Sequence, residues 1–255
     1  LEPLSDFLEE AQRVVSAADE KRLTLRILGA TAFRLHCPAS VPIHVAMGRT
    51  LSDLDFAGYR KDRSQIESLL ENLGYQVHAS ALVVTQGLLP DRAFYYDTRN
   101  KRIVDAFFDH LEMCHTIEFR GRLEVDYPTI PLADLLLEKL QIVKLNIKDM
   151  KDAILLLLEH PVGDSDKETV NSHYIAKLMA ADWGFYYTAT TNLGKISSYL
   201  ATVLQLSQEQ RSLVASRVKE LISAIENNPK TFQWKARARI GTRRKWYNDV
   251  EEVVR

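Results

Sequence analysis

Apolar residues at Leu4, Phe7, Leu8, Ala11, Val14, Val15 and Ala18 recur at offsets of three and four, which predicts a helix over residues 4–18. A short run at 23–28 is stopped by Gly29 and reads as strand, turn and helix. Two prolines and Gly48 mark 38–49 as a loop. Alternation predicts a strand at 53–58; a helix follows over 64–73 up to Gly74, and 75–80 reads as the next strand. Residues 92–97 and 101–108 form two strands around Thr98-Arg99-Asn100, with more extended chain at 116–119 and 123–125. From Pro131 the period turns helical, giving helices at 132–143, 149–160, 167–179, 186–204, 208–227 and 245–253 and a loop at 161–164. The expected fold class is α+β: a mixed sheet flanked by helices over 1–128, then a helical bundle over 129–255.

Composition narrows the setting. Hydrophobic residues make up 46% of the 255 and charged residues 26%, which excludes a disordered or collagen-like chain. The longest apolar run, 153–158, is far shorter than the ~20 residues of a membrane helix, so no membrane partner is expected. The opening Leu1-Glu2-Pro3-Leu4 has neither the basic leader nor the apolar stretch of a signal peptide. Cys37 and Cys114 are the two cysteines, which suits a reducing, cytoplasmic setting. His36-Cys37 and Cys114-His115 lack the ligand spacing of a zinc site.

Chemistry gathers at a few places. Asp53 and Asp55, two apart on a strand, project from one face, while Leu54 and Phe56 face the core. Two carboxylates ~4 Å apart repel by about 4 kcal/mol at an effective dielectric of 20. A divalent cation relieves that repulsion, and hard oxygen ligands favour magnesium together with substrate phosphates. Leu28-Gly29-Ala30-Thr31-Ala32 is a strand entering a small-residue turn and a helix, a geometry that aims N–H groups at an anion. No P-loop or Rossmann pattern is present. Asp105 sits in the apolar Ile103–Phe108 run, where a charge needs a partner or a metal. Lys139 shares a helical stripe with Leu132, Leu135, Leu136, Leu140 and Val143, and either snorkels to its edge or enters a phosphate pocket. Asp149 and Asp152 share a face of the next helix.

The segments Leu28-Gly29-Ala30-Thr31-Ala32, Arg49-Thr50-Leu51-Ser52-Asp53-Leu54-Asp55-Phe56 and Val104-Asp105-Ala106-Phe107 resemble the nucleotidyltransferase superfamily, the fold of DNA polymerase beta. The segment 131–141, followed by Lys148-Asp149-Met150-Lys151-Asp152, is similar to its minimal, abortive-infection branch, which includes toxins of toxin–antitoxin pairs. The resemblance spans about residues 23–158 and departs from the family at Ala30, where Gly or Ser is usual. It implies transfer of a nucleoside monophosphate from an NTP such as ATP, with magnesium or manganese as cofactor. Asp53, Asp55 and Asp105 then hold the metal, and Asp105 also serves as general base. Gly29, Ala30, Thr31, Arg49 and Ser52 cradle phosphates, and Lys139 and Asp149 complete the site. RNA, a small antibiotic and an antitoxin protein are the implied acceptors and partner; a catalytically inactive binding module of the same fold is the alternative.

The net charge is −1, yet Lys230, Lys235, Arg237, Arg239, Arg243, Arg244 and Lys245 form a stretch with no acid. Phe232, Trp234 and Trp246 lie among or beside them. Arg237, Arg239, Arg243, Arg244 and Lys245 are therefore the candidate nucleic-acid contacts. The competing reading is a solvated helix face whose aromatics anchor the tail. Ala181–Tyr187 is a second aromatic cluster, suited to a bundle core or to base stacking.

Overall fold

The computed structural model describes residues 2–78 and 91–250. Asp6 opens α1 (Phe7–Glu20) by accepting the N–H groups of Leu8 and Glu9, and Val14, Val15 and Ala18 turn its apolar stripe inward. β1 (Leu25–Leu28) runs directly into α2 (Gly29–His36), because Gly29 takes a positive φ of 67° that reverses the chain without a loop. α3 (Val41–Ala46), β2 (Asp53–Gly58), α4 (Arg63–Asn72) and β3 (Gln76–Val77) follow. β4 (Arg92–Asp97) and β5 (Arg102–Phe108) form a hairpin, and β6 (His110–Glu112) pairs with β7 (Thr116–Glu118).

The five-stranded sheet has the order β1-β2-β5-β4-β3. β2 and β5 are parallel neighbours at its centre, and the other pairings are antiparallel, so the sheet is mixed. Leu54, Phe56, Val104, Ala106 and Phe108 are buried along the central strands. Residues 128–130 run beside β1 through Ile27 and lead into α5 (Leu132–Leu140).

α6 (Ile147–Glu159) is capped by Asn146 and packs with α5 against α2. The short β8 (Val162–Gly163) and β9 (Val170–Asn171) pair before α7 (Ser172–Ala181). α8 (Trp183–Tyr199), α9 (Gln208–Asn227) and α10 (Phe232–Ile240) complete the helical part. Val214, Val218, Leu221 and Ile225 form the buried stripe of α9, and one hydrophobic core continues from the sheet into these helices. The fold class is α+β, as expected. No helix among the described residues is long and apolar enough to cross a membrane.

Several boundaries differ from the sequence reading. Residues 38–49 contain a 3₁₀ turn and α3, because Pro38 and Pro42 occupy first-turn positions where their missing N–H is harmless. Residues 123–125 form a turn, with Val125 N–H donating to Arg122 O at 3.2 Å. The helix expected from 167 begins only at Ser172, since the Asn171 side chain accepts the Tyr174 N–H and fixes the start. The helix expected over 245–253 is absent in 245–250, and 251–253 lie outside the described residues. Of the strand expected at 75–80, residues 79 and 80 also lie outside them.

Candidate functional site

Parallel pairing of β2 with β5 sets Asp55 opposite Asp105 and Asp53 opposite Ile103. Partners in register point to one face, as do residues two apart on a strand, so the three acids share a face of the sheet. Asp53 and Asp55 are half-buried and Asp105 is buried. The Ser52 hydroxyl donates to Asp53 Oδ1 at 3.2 Å. Arg92 Nη2 donates to Asp105 Oδ2 at 2.6 Å, and its guanidinium lies 4.1 Å and 4.6 Å from the Phe94 and Phe107 ring centroids. Asp105 thus meets the cost of its apolar strand by pairing with a cation. Among the described residues, no three His, Cys, Asp or Glu side chains are arranged to hold a metal ion. Arg92 engages Asp105, while Asp53, Asp55 and Asp105 keep their shared face of the sheet.

Asp55 is hemmed in by other carboxyls. Burial first, then Asp53, Asp105 and Glu138, hold it well above the usual carboxylate range, with Arg92 opposing. Gly29 presses against it, and a Cβ at position 29 would lie 2.2 Å from Asp55 Oδ2. The turn therefore needs glycine for the close approach as well as for its positive φ. Gly29 N–H donates to Glu138, at 3.2 Å from Oε2 and 3.4 Å from Oε1. Burial raises the Glu138 carboxyl to about 8, against the opposing pull of Lys139 and of the Gly29 N–H. Ala30 and Thr31 are buried, and the Thr31 hydroxyl donates to the backbone oxygen of Asp53 at 3.5 Å. Thr31 thereby fastens α2 to β2.

Because its folded carboxyl titrates above the unfolded value of 4.5, Glu138 contributes stability that is present below pH ~4.5 and lost as pH rises through about 8. Glu138→Gln removes that loss. Thermal melts taken between pH 5 and 9 should show a smaller decline in Tm for the variant than for the parent; identical declines would refute the assignment.

Facing this corner, α5 and α6 present a charged network. Lys139 is buried, with Nζ 3.4 Å from both Asp149 Oδ1 and Asp152 Oδ2 and 5.1 Å from the Phe33 ring centroid. The two aspartates, with Glu138, hold its ammonium above the usual range despite burial. The snorkelling alternative is thereby excluded. Asp152, wholly buried, also accepts Arg49 Nε at 2.9 Å, Arg49 Nη2 at 3.0 Å and His44 Nε2 at 2.9 Å. Lys139, His44 and Arg49 together keep its carboxyl below the usual range although burial pushes the other way. Asp149 stands in the first turn of α6, where its N–H donates to the Asn146 side chain.

Glu138, Arg92, His44 and Arg34 were not singled out from sequence. Glu138 carried a signal, an acid inside Leu135-Leu136-Leu137-Glu138-Lys139-Leu140. The others are recognisable only through the chain segments they meet. His36 and His115 are neutral packing residues, held near 4 by burial; His36 Nε2 lies 2.5 Å from Thr129 Oγ1 and His115 Nε2 lies 2.9 Å from Thr188 Oγ1.

The basic segment divides in two. Arg237 is half-buried, stacks 4.7 Å from the Trp183 ring centroid and donates to the backbone oxygens of Gly241 and Arg244. Trp246 donates its ring N–H to Thr188 Oγ1 at 3.1 Å, and Trp234 packs edge-on to Tyr186. Asn248 N–H reaches Cys114 O at 3.0 Å, tying the tail to the β6–β7 hairpin. Arg237 and these two tryptophans are therefore anchors. Arg239, Arg243, Arg244 and Lys245 are exposed, as is Phe232 at 86%.

No family model matches the chain, and no curated protein matches it. Among solved structures, the antibiotic-resistance factor ANT(2'')-Ia is similar at 14% identity with a TM-score of 0.39, over 66% of this chain and 90% of that one.

Proposed function

We propose that the chain is a metal-dependent nucleotidyltransferase that moves a nucleoside monophosphate from an NTP to an acceptor. The observation that carries this reading is the shared face of Asp53, Asp55 and Asp105, with the Gly29 turn pressed against Asp55. The donor set fits magnesium or manganese: Asp53 and Asp55 offer hard oxygens whose mutual repulsion a divalent cation relieves. When bound, the ion neutralises the triphosphate and polarises the phosphoryl group under attack. Asp105, oriented by Arg92, accepts the proton of the acceptor hydroxyl. The acceptor oxygen bonds to the α-phosphorus, the bond to the β-phosphate oxygen breaks, and pyrophosphate leaves. Lys139 and Arg49, fixed by Asp149 and Asp152, supply positive charge toward the phosphates. Ser52 and the Gly29–Thr31 turn position the chain around them, and Ala30 lends no hydroxyl.

The experiment is incubation with each α-labelled NTP and magnesium, alone, with total RNA and with a panel of small antibiotics. Label transfer with pyrophosphate release supports the reading. A second reading, a binding module without turnover, is favoured by Glu138 on the Gly29 N–H and Arg92 on Asp105. Metal-dependent nucleotide binding with no pyrophosphate release under any acceptor would select it.

RNA is the acceptor that the exposed cations favour. Arg243→Glu with Arg244→Glu is expected to weaken RNA binding and flatten its salt dependence, leaving NTP binding unchanged. Filter binding across a salt series checks this; an unaltered affinity and slope would remove RNA from the proposal.

A further inference from the structure

A cleft of about 340 Å³ opens between the start of α1 and the chain that joins α3 to β2, lined by Phe7, Leu8, Arg34, Val45, Arg49 and Leu51. Arg34 is its unusual member. This half-buried guanidinium donates Nε to His44 Nδ1 at 3.2 Å and Nη2 to the Arg49 backbone oxygen at 3.1 Å, neither of them a carboxylate. Among the described residues no carboxylate oxygen lies within 4.0 Å of its nitrogens. Asp6 also lines the cleft, but its Oδ1 caps α1 by accepting Leu8 N–H at 2.8 Å and Glu9 N–H at 2.9 Å. Arg49, another charged side chain of the cleft, is a like charge, and its carboxylate partner Asp152 is already shared with Lys139 and His44. Burial, then Arg49, lower the Arg34 pKa, and Asp152 offsets this only in part. A half-desolvated cation beside another calls for an anion from solution.

We propose that this cleft binds a phosphoryl group, with Arg34 as its anchoring cation. The planar fork of a guanidinium suits phosphate oxygens. Leu51 is two residues from Asp53, at most ~7 Å of extended chain, so the group belongs to a molecule that also reaches the acids. That last step rests on the transferase reading; the anion site itself does not.

The test uses the full chain in EDTA, where the uncompensated acids repel anions, and titrates inorganic pyrophosphate by calorimetry. The parent is expected to bind it. Arg34→Gln should weaken binding about tenfold or more, the loss of one charge-assisted bond. Val45→Asp, at an exposed rim position on α3, should do the same by lending Arg34 an internal counter-ion while leaving the core untouched. Binding equal to the parent in both variants overturns the proposal. Kinetics with Mg-ATP, and with a short RNA carrying or lacking a 5′-phosphate, separate the sources. A raised KM for ATP in Arg34→Gln assigns the group to the NTP, and loss of preference for the phosphorylated RNA assigns it to the acceptor. If no transfer occurs but metal-free pyrophosphate binding still depends on Arg34, the cleft stands and the transferase reading falls. Unchanged transfer kinetics and unchanged pyrophosphate affinity in both variants refute the cleft alone.

Discussion

Asp53→Ala and Asp55→Ala are each expected to cut magnesium-dependent nucleotide transfer by ~10²–10³-fold or more, the scale seen when a main charge-stabilising group is lost. The fold should survive. Neither side chain belongs to the buried apolar face of β2, which is carried by Leu54 and Phe56. Asp55 in particular is destabilising where it stands, crowded by Asp53, Asp105 and Glu138 with its charge held off by burial. Asp55→Ala should therefore melt at or above the parent temperature without metal, a gain in stability at the expense of activity. Transfer assays and melts on the same preparations check both halves. Full turnover in the double alanine variant would end the assignment of β2 as the site.

Asp152→Ala should have the largest effect on stability. It removes the one carboxylate that Lys139, Arg49 and His44 share, leaving Lys139 to Asp149 and taking from Arg49 the carboxylate that accepts its Nε and Nη2. Breaking a buried ion pair on one side costs about 3–5 kcal/mol. For a chain of this size that is a fall in Tm of roughly 6–20 °C. Its folded carboxyl lies below the usual value, so its contribution is present above the unfolded pKa of 3.8 and fades as pH falls below it. The parent and Asp152→Ala melting temperatures should therefore converge in acid. A variant that melts with the parent at pH 7 would show that the network is incidental.

The acids of β2 were legible because alternation along a strand fixes which side chains share a face, whatever the strand pairs with. Lys139 was legible because a cation in an apolar stripe is conspicuous. What held these groups was not. Glu138 meets Gly29 across 109 residues and His44 meets Asp152 across 108, and no periodicity encodes such pairings. Arg92 reaches Asp105 from the neighbouring strand, which required the hairpin register as well as its existence. α3 was hidden by its prolines. α10 was hidden because Phe232–Ile240 buries no residue, so its sequence has no apolar stripe to betray it.

The docking of the tail has an optical consequence. The chain contains three tryptophans, and all three lie in one corner of the helical part. Trp183 stacks on Tyr187 at 5.3 Å between ring centroids, Trp246 meets Tyr187 edge-on at 5.1 Å, and Trp234 meets Tyr186 at 5.1 Å. The sheet that carries the acids has none. Indole fluorescence of the unlabelled protein is therefore a local signal that follows how residues 232–247 sit against α8. Unfolding of the sheet has to be followed by another probe, and where the two transitions separate, the difference between them measures how far the tail's attachment is coupled to the acids.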